Sequence, residues 1–170
     1  MLVCTDVDYR PGGSARAAGL GFGAWTDAAP LGEWVERLEG VQPYQPGEFY
    51  RRELPCLLAL LESIKAAQGL PEAVIIDGYV TLDAAGRAGL GLHLYRALGG
   101  AVPVIGVAKT AFRGSGHALP VCRGGSSSPL YVTAAGLDAE QAARQLAQMH
   151  GPHRLPTLLR RVDGLCRTAE

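Results

Sequence analysis

"AVIID", residues 73–77, and "VPVIGVA", residues 102–108, are two continuous apolar runs separated by a stretch of helical character between Ala84 and Leu98. A strand with one wet face alternates apolar and polar residues. A strand that is apolar throughout is buried on both faces, and parallel strands joined by a helical crossover achieve this. These runs therefore predict strand, helix, strand, with parallel pairing in the interior of a sheet.

Upstream, "MLVCTDVDY" (1–9), "ARAAGLGFGAWTD" (15–27) and "LGEWVERLEGVQ" (31–42) read as three strands. The turn-rich separators "RPGGS" and "DAAPLG" suggest an antiparallel meander. Leu54, Leu57, Leu58, Leu61 and Ile64 recur at helical spacing, which predicts a helix to about Ala67, stopped at Gly69. Downstream, the Gly/Ser-rich "RGGSSSP" leads into "LYVTAAG" (130–136). "LDAEQAARQLAQM" (137–149) then opens a helix with Asp138 and Gln141 at capping-box spacing. Meander first and crossovers second make a mixed α/β sheet.

At 170 residues and 48% hydrophobic, the chain is expected to form a single domain, 1–170. Lys+Arg and Asp+Glu are both 16, so no overall basic field is present, and a nucleic-acid partner would have to meet a local patch. The absence of a long apolar span argues against a membrane partner, and no protein partner is evident. Cys4, Cys56, Cys122 and Cys166 are far apart without CxxC spacing, which fits a reduced, cytoplasmic protein.

Three carboxylates stand out. Residues two apart in a strand share a face, so Asp6 and Asp8 in "TDVDY" point the same way as Cys4. Asp77 ends an apolar strand and is followed by Gly78, a position where ligand-binding groups sit in α/β sheets. Glu53 lies near the start of the first helix. They read either as a satisfied core aspartate, a turn residue and a helix-start charge, or as an oxygen-ligand site for a hard cation. Before Glu53, "PYQPG" (43–47) is stiffened by its two prolines and can hold Tyr44 outward.

The ordered set "TDVDY", "RAA", "PYQPG", "RRELP", "IIDG", "PVIGVAK" and "RLP" resembles the endonuclease V family over nearly the whole chain. The resemblance implies a ribonuclease H-like fold, a mixed five-stranded sheet with an antiparallel meander and helices on both faces. It implies a Mg²⁺-dependent (or Mn²⁺-dependent) endonuclease cutting DNA or RNA on the 3′ side of deaminated bases, deoxyinosine or inosine. The family's catalytic acids fall on Asp6, Glu53 and Asp77, with Asp6 and Asp77 as metal ligands. Its wedge falls on Pro43, Tyr44, Pro46 and Gly47, and Gly78 and Lys109 are expected to approach the nucleic acid.

The pattern also breaks. The family's histidine after its Pro-Leu-Phe-Val strand has no counterpart in "SPLYVTAAGLDAEQ", and Tyr79 stands where a second histidine is usual. His93 matches a histidine of the crossover helix, although a histidine on a half-apolar helix is more often a packing residue. Asp8, at a position usually small and uncharged in the family, is a candidate additional ligand, whereas Asp138 is explained as an N-cap. Slow turnover is expected, and the alternative reading is a catalytically reduced relative that binds nucleic acid without cutting it.

Overall fold

The computed structural model describes residues 1–168. Seven strands form one sheet: β1 (Leu2–Arg10), β2 (Ser14–Phe22), β3 (Gly32–Leu38), β4 (Ala73–Asp77), β5 (Val104–Ala108), β6 (Leu119–Val121) and β7 (Leu130–Ala135). Their order across the sheet is β3-β2-β1-β4-β5-β7-β6. The apolar runs β4 and β5 are parallel neighbours, with β1 parallel to β4 on the other side. The meander β1–β2–β3 is antiparallel, as its turn chemistry predicts.

The expected five strands become seven. β7 runs antiparallel to β5 and is itself capped by β6. β6 is three residues long with Pro120 at its centre. That is too short for a periodic signal, and proline is tolerated there because the strand is an edge.

Helices α1 (Phe49–Gln68) and α2 (Leu90–Ala97) cover one face, α3 (Ala139–Gln148) and α4 (Thr157–Thr168) the other. Strand alternation divides the core accordingly. Val3, Val74, Ile76 and Val104 pack under Leu57, Leu60 and Ile64 of α1, while Cys4, Ile75, Ile105 and Val132 pack under Leu146, Leu158 and Val162. The crossover helix starts at Leu90 rather than near Ala84, because Asp83 Oδ1 accepts from Arg87 N at 3.0 Å and Gly86 has φ +83°, which closes a turn there. α1 begins earlier than its leucine spacing suggests, at Phe49. In α3, Asp138 Oδ2 accepts from Gln141 N at 3.0 Å, the N-cap bond foreseen from sequence.

β1 pairs with β4 only from Leu2 to Cys4, yet with β2 along its full length. Past Cys4 the two parallel strands separate. The split at their C-terminal ends is the kind of crevice in which open α/β sheets place ligands.

Candidate functional site

Asp6 and Asp77 stand on either side of this split. With the alternation of β1 and β4, Cys4 and Asp6 face α4, as do Ile75 and Asp77. The cleft they line is narrow and is completed by Thr5, Ile76, Val107, Lys109, Leu155, Leu159 and Val162. Lys109 leaves the end of β5, and its Nζ lies 2.7 Å from Asp77 Oδ2. The cleft thus has acids on two strands and a cation on a third.

Asp6 is pushed up to about 7, first by burial, then by the charge of Asp77 and by the nearby carboxyl of Asp163. A hydrogen bond from Val7 N at 2.8 Å and the Lys109 ammonium only partly oppose this. Glu53, in the second turn of α1, is 4% exposed and is pushed up to about 8 by burial and then by Asp6 and Asp77. The Tyr9 hydroxyl donates to Glu53 Oε2 at 3.4 Å, and the Arg52 guanidinium lies 3.5 Å over the Tyr9 ring. Burial works against the charge on Lys109, but its hydrogen bond to Asp77 and the fields of Asp77, Asp6 and Asp163 prevail and raise its pKa.

Asp163 is the site residue that sequence reading missed. It lies on α4, near enough to Asp6 for its carboxyl to help raise the Asp6 pKa, and its Oδ1 accepts from Arg167 Nη2 at 2.9 Å. The signal available was an acidic residue four before an arginine on an amphipathic helix, which reads as a surface ion pair. Only the packing of α4 against β1 turns it to Asp6.

Asp8 shares the face of Asp6 but is taken by Arg10, whose Nε lies 2.7 Å from Asp8 Oδ2. His93 stacks on Tyr50 with centroids 3.7 Å apart, a packing contact between α2 and α1. Tyr79 donates from its hydroxyl to Thr110 O at 2.8 Å and meets the Phe112 ring edge-on.

The residues fit a hard divalent cation by the chemistry of their donors. Oxygen acids desolvated and repelling one another, with Lys109 the single lysine among them, are short of positive charge. Among the described residues no three such side chains already surround a common point, and Asp77 is turned instead to Lys109. The acids are adjacent rather than gathered.

The loop from Val41 to Glu48 runs beside the crevice. Tyr44 is 59% exposed at its tip, with Pro43, Gln45 and Gln42 lining a surface hollow together with Glu48 and Arg51. Gly47, at the loop's end, borders a second, open cavity together with Phe49, Tyr50, Asp77, Gly78, Tyr79 and Leu90. Asp77 belongs to both cavities, so they adjoin. Among the described residues no helix is long and apolar enough to cross a membrane.

The family model for Endonuclease V matches residues 1–149. The chain is 35% identical to an endonuclease V of Streptomyces coelicolor over 153 aligned positions, covering 75% of this chain and 60% of that protein. It is 31% identical to one of Streptomyces avermitilis over 147 positions, covering 75% of this chain and 62% of that protein. The chain spans about three fifths of the length of these curated relatives. In fold it is similar to the crystal structure of Ciona intestinalis endonuclease V in complex with a 24mer DNA containing an inosine followed by a ribo-adenosine. That likeness has a TM-score of 0.80 at 18% identity and covers 98% of this chain and 84% of that one.

Proposed function

Because the chain belongs to the endonuclease V family, we propose that it is a metal-dependent endonuclease cutting a phosphodiester on the 3′ side of a deaminated base in DNA or RNA. The observation that carries this reading is the cluster of mutually repelling carboxyls at the split between β1 and β4: buried Glu53, half-buried Asp6 with Asp163 behind it, and Asp77, more exposed at the end of β4.

Asp6 and Asp77 would hold Mg²⁺ or Mn²⁺, with Asp163 adding negative charge beside Asp6. The cation supplies Lewis-acid polarisation of the scissile phosphate and charge for the leaving 3′ oxygen. Glu53, with a carboxyl poised near neutral pH, takes the proton of the attacking water. Lys109, paired with Asp77 and exposed with it at the cleft, would be free to meet a phosphate oxygen if Asp77 held the cation. Tyr44 enters the strand and stacks where the base has left, which recovers part of the unstacking cost. The cavity walled by Gly78, Tyr79 and Leu90 accepts the extruded base, because its glycine backbone permits close approach.

A second reading, nucleic-acid binding without cleavage, is favoured by the family histidine that "SPLYVTAAGLDAEQ" lacks. One experiment separates the two: inosine-containing DNA and RNA oligonucleotides are incubated with the protein in Mg²⁺, Mn²⁺ or EDTA. Cleavage one side of the inosine, abolished by EDTA, is expected. Tight inosine binding with no product in either metal would give preference to the second reading, and neither binding nor product would overturn both.

A further inference from the structure

We propose that Thr133 is a positioning residue whose hydroxyl sets the Gly78–Val80 turn, and through it the shape and base discrimination of the cavity beside Asp77. The inference rests on the reading of that cavity as the base pocket.

Thr133 lies on β7, two strands away from β4. In the sheet register Ile76 faces Gly106, and Gly106 faces Thr133. Gly106 leaves a gap through which the Thr133 side chain reaches the turn after β4: the Thr133 Oγ1 accepts from Val80 N at 2.8 Å, with both groups buried. A Cβ on Gly106 would lie 2.5 Å from Gly78 O, 2.8 Å from Thr133 Oγ1 and 2.9 Å from Val80 N. No other residue at position 106 would allow this contact without moving backbone.

Three other main-chain groups of the turn bond to backbone, and the Tyr79 side chain ties the turn to Thr110 O through its hydroxyl. Gly78 N donates to Val107 O at 3.1 Å, Tyr79 O accepts from Gly91 N at 3.1 Å, and Val80 O accepts from Gly89 N at 2.9 Å and Leu92 N at 3.2 Å. Among these main-chain groups, Val80 N is the one held by a side chain, and Gly78, at φ +136°, is a pivot that resists displacement little by itself. Without the hydroxyl, a buried N–H is orphaned, and the cheapest relief is a shift of the turn that carries Gly78 and Tyr79, two walls of the pocket. Discrimination by a pocket built on fixed backbone groups degrades when those groups move, because the correct base then loses the partners that distinguish it.

The test compares Thr133→Val, Thr133→Ser and the unaltered chain, by fluorescence anisotropy on matched inosine and adenosine strands in Ca²⁺, with intact strands verified on a gel. The inosine-to-adenosine affinity ratio should fall about tenfold in Thr133→Val, the order expected for an orphaned buried donor, and return in Thr133→Ser, which restores the acceptor. If the valine variant does not fold, Thr133→Ala against Thr133→Ser makes the same comparison. A ratio unchanged to within about twofold on loss of the hydroxyl, or a loss that serine does not restore, overturns the inference. An unaltered chain with no preference for inosine overturns the reading of the pocket itself, and the inference with it.

Discussion

Asp163 and Asp8 are both aspartates near Asp6, and their effect on Asp6 decides between them. Each is paired with an arginine, Asp163 with Arg167 at 2.9 Å and Asp8 with Arg10 at 2.7 Å, but only Asp163 acts on the Asp6 carboxyl. Asp163→Asn keeps the shape and removes the charge, so cleavage in Mg²⁺ should fall on the order of 10²-fold, while Asp8→Ala should stay within about threefold of the unaltered chain. Equal losses in the two variants would return Asp8 to the site. For Tyr44, exposed at the tip of a proline-stiffened loop, replacement by alanine should weaken binding of inosine-containing strands by about 1–3 kcal/mol and leave the melting temperature unchanged. Lost stability with unchanged affinity would make Tyr44 a packing residue. Glu53 must be ionised to act as base, and burial with Asp6 and Asp77 pushes it up to about 8. The rate at saturating Mg²⁺ should therefore rise with pH between 6 and 8, the bound cation pulling the midpoint to the lower part of that range, and the Glu53→Gln variant should lose this limb.

At the scale of elements, α4 matters because it carries Asp163, and its approach is fixed by the chain before it. Arg123 is buried between β6 and the α3–α4 connection. Its Nη1 donates to His153 O at 3.0 Å and Arg154 O at 3.3 Å, and its Nη2 to Met149 O and to Gly151 O at 3.4 Å. These acceptors include the Met149 carbonyl at the C-cap of α3, where a cation is also favoured by the helix dipole. Arg123→Met should cost about 3 kcal/mol in urea unfolding, because the buried Met149 carbonyl and several part-buried ones lose a charged donor together. A cost under about 1 kcal/mol would mean that water replaces the guanidinium. Arg154 plays a related part: its Nε donates to Ser128 O at 2.9 Å and its Nη2 to Pro129 O at 2.9 Å and to Lys109 O, joining the α3–α4 connection to the ends of β5 and β7.

For the whole molecule, the acidic cluster links stability to pH and metal. Asp6 and Glu53, raised to about 7 and about 8, hold protons in the folded chain that the unfolded chain has already released. The folded state therefore binds more protons between about pH 4 and pH 8, and stability must fall as pH rises through that window. In EDTA the melting temperature should drop from pH 5 to pH 8, and Mg²⁺ should restore more at pH 8 than at pH 5. A metal effect independent of pH would place the ion away from these carboxyls. The sequence by itself determined the parallel β4–β5 pair, the meander, the leucine face of α1 and the Asp138 cap, because each is written in periodicity or in residues close along the chain. It also carried Asp6, Glu53 and Asp77 through the family's motifs, which are local. Only the tertiary structure decided that β1 and β4 part after Cys4, that Asp163 rather than Asp8 acts on Asp6, and that Thr133 crosses the gap at Gly106 to hold Val80. These are contacts between residues far apart in sequence, fixed by strand register and helix packing. No local pattern encodes them, because a helix-surface aspartate or a strand threonine has the same sequence signature whichever neighbour the fold brings to it.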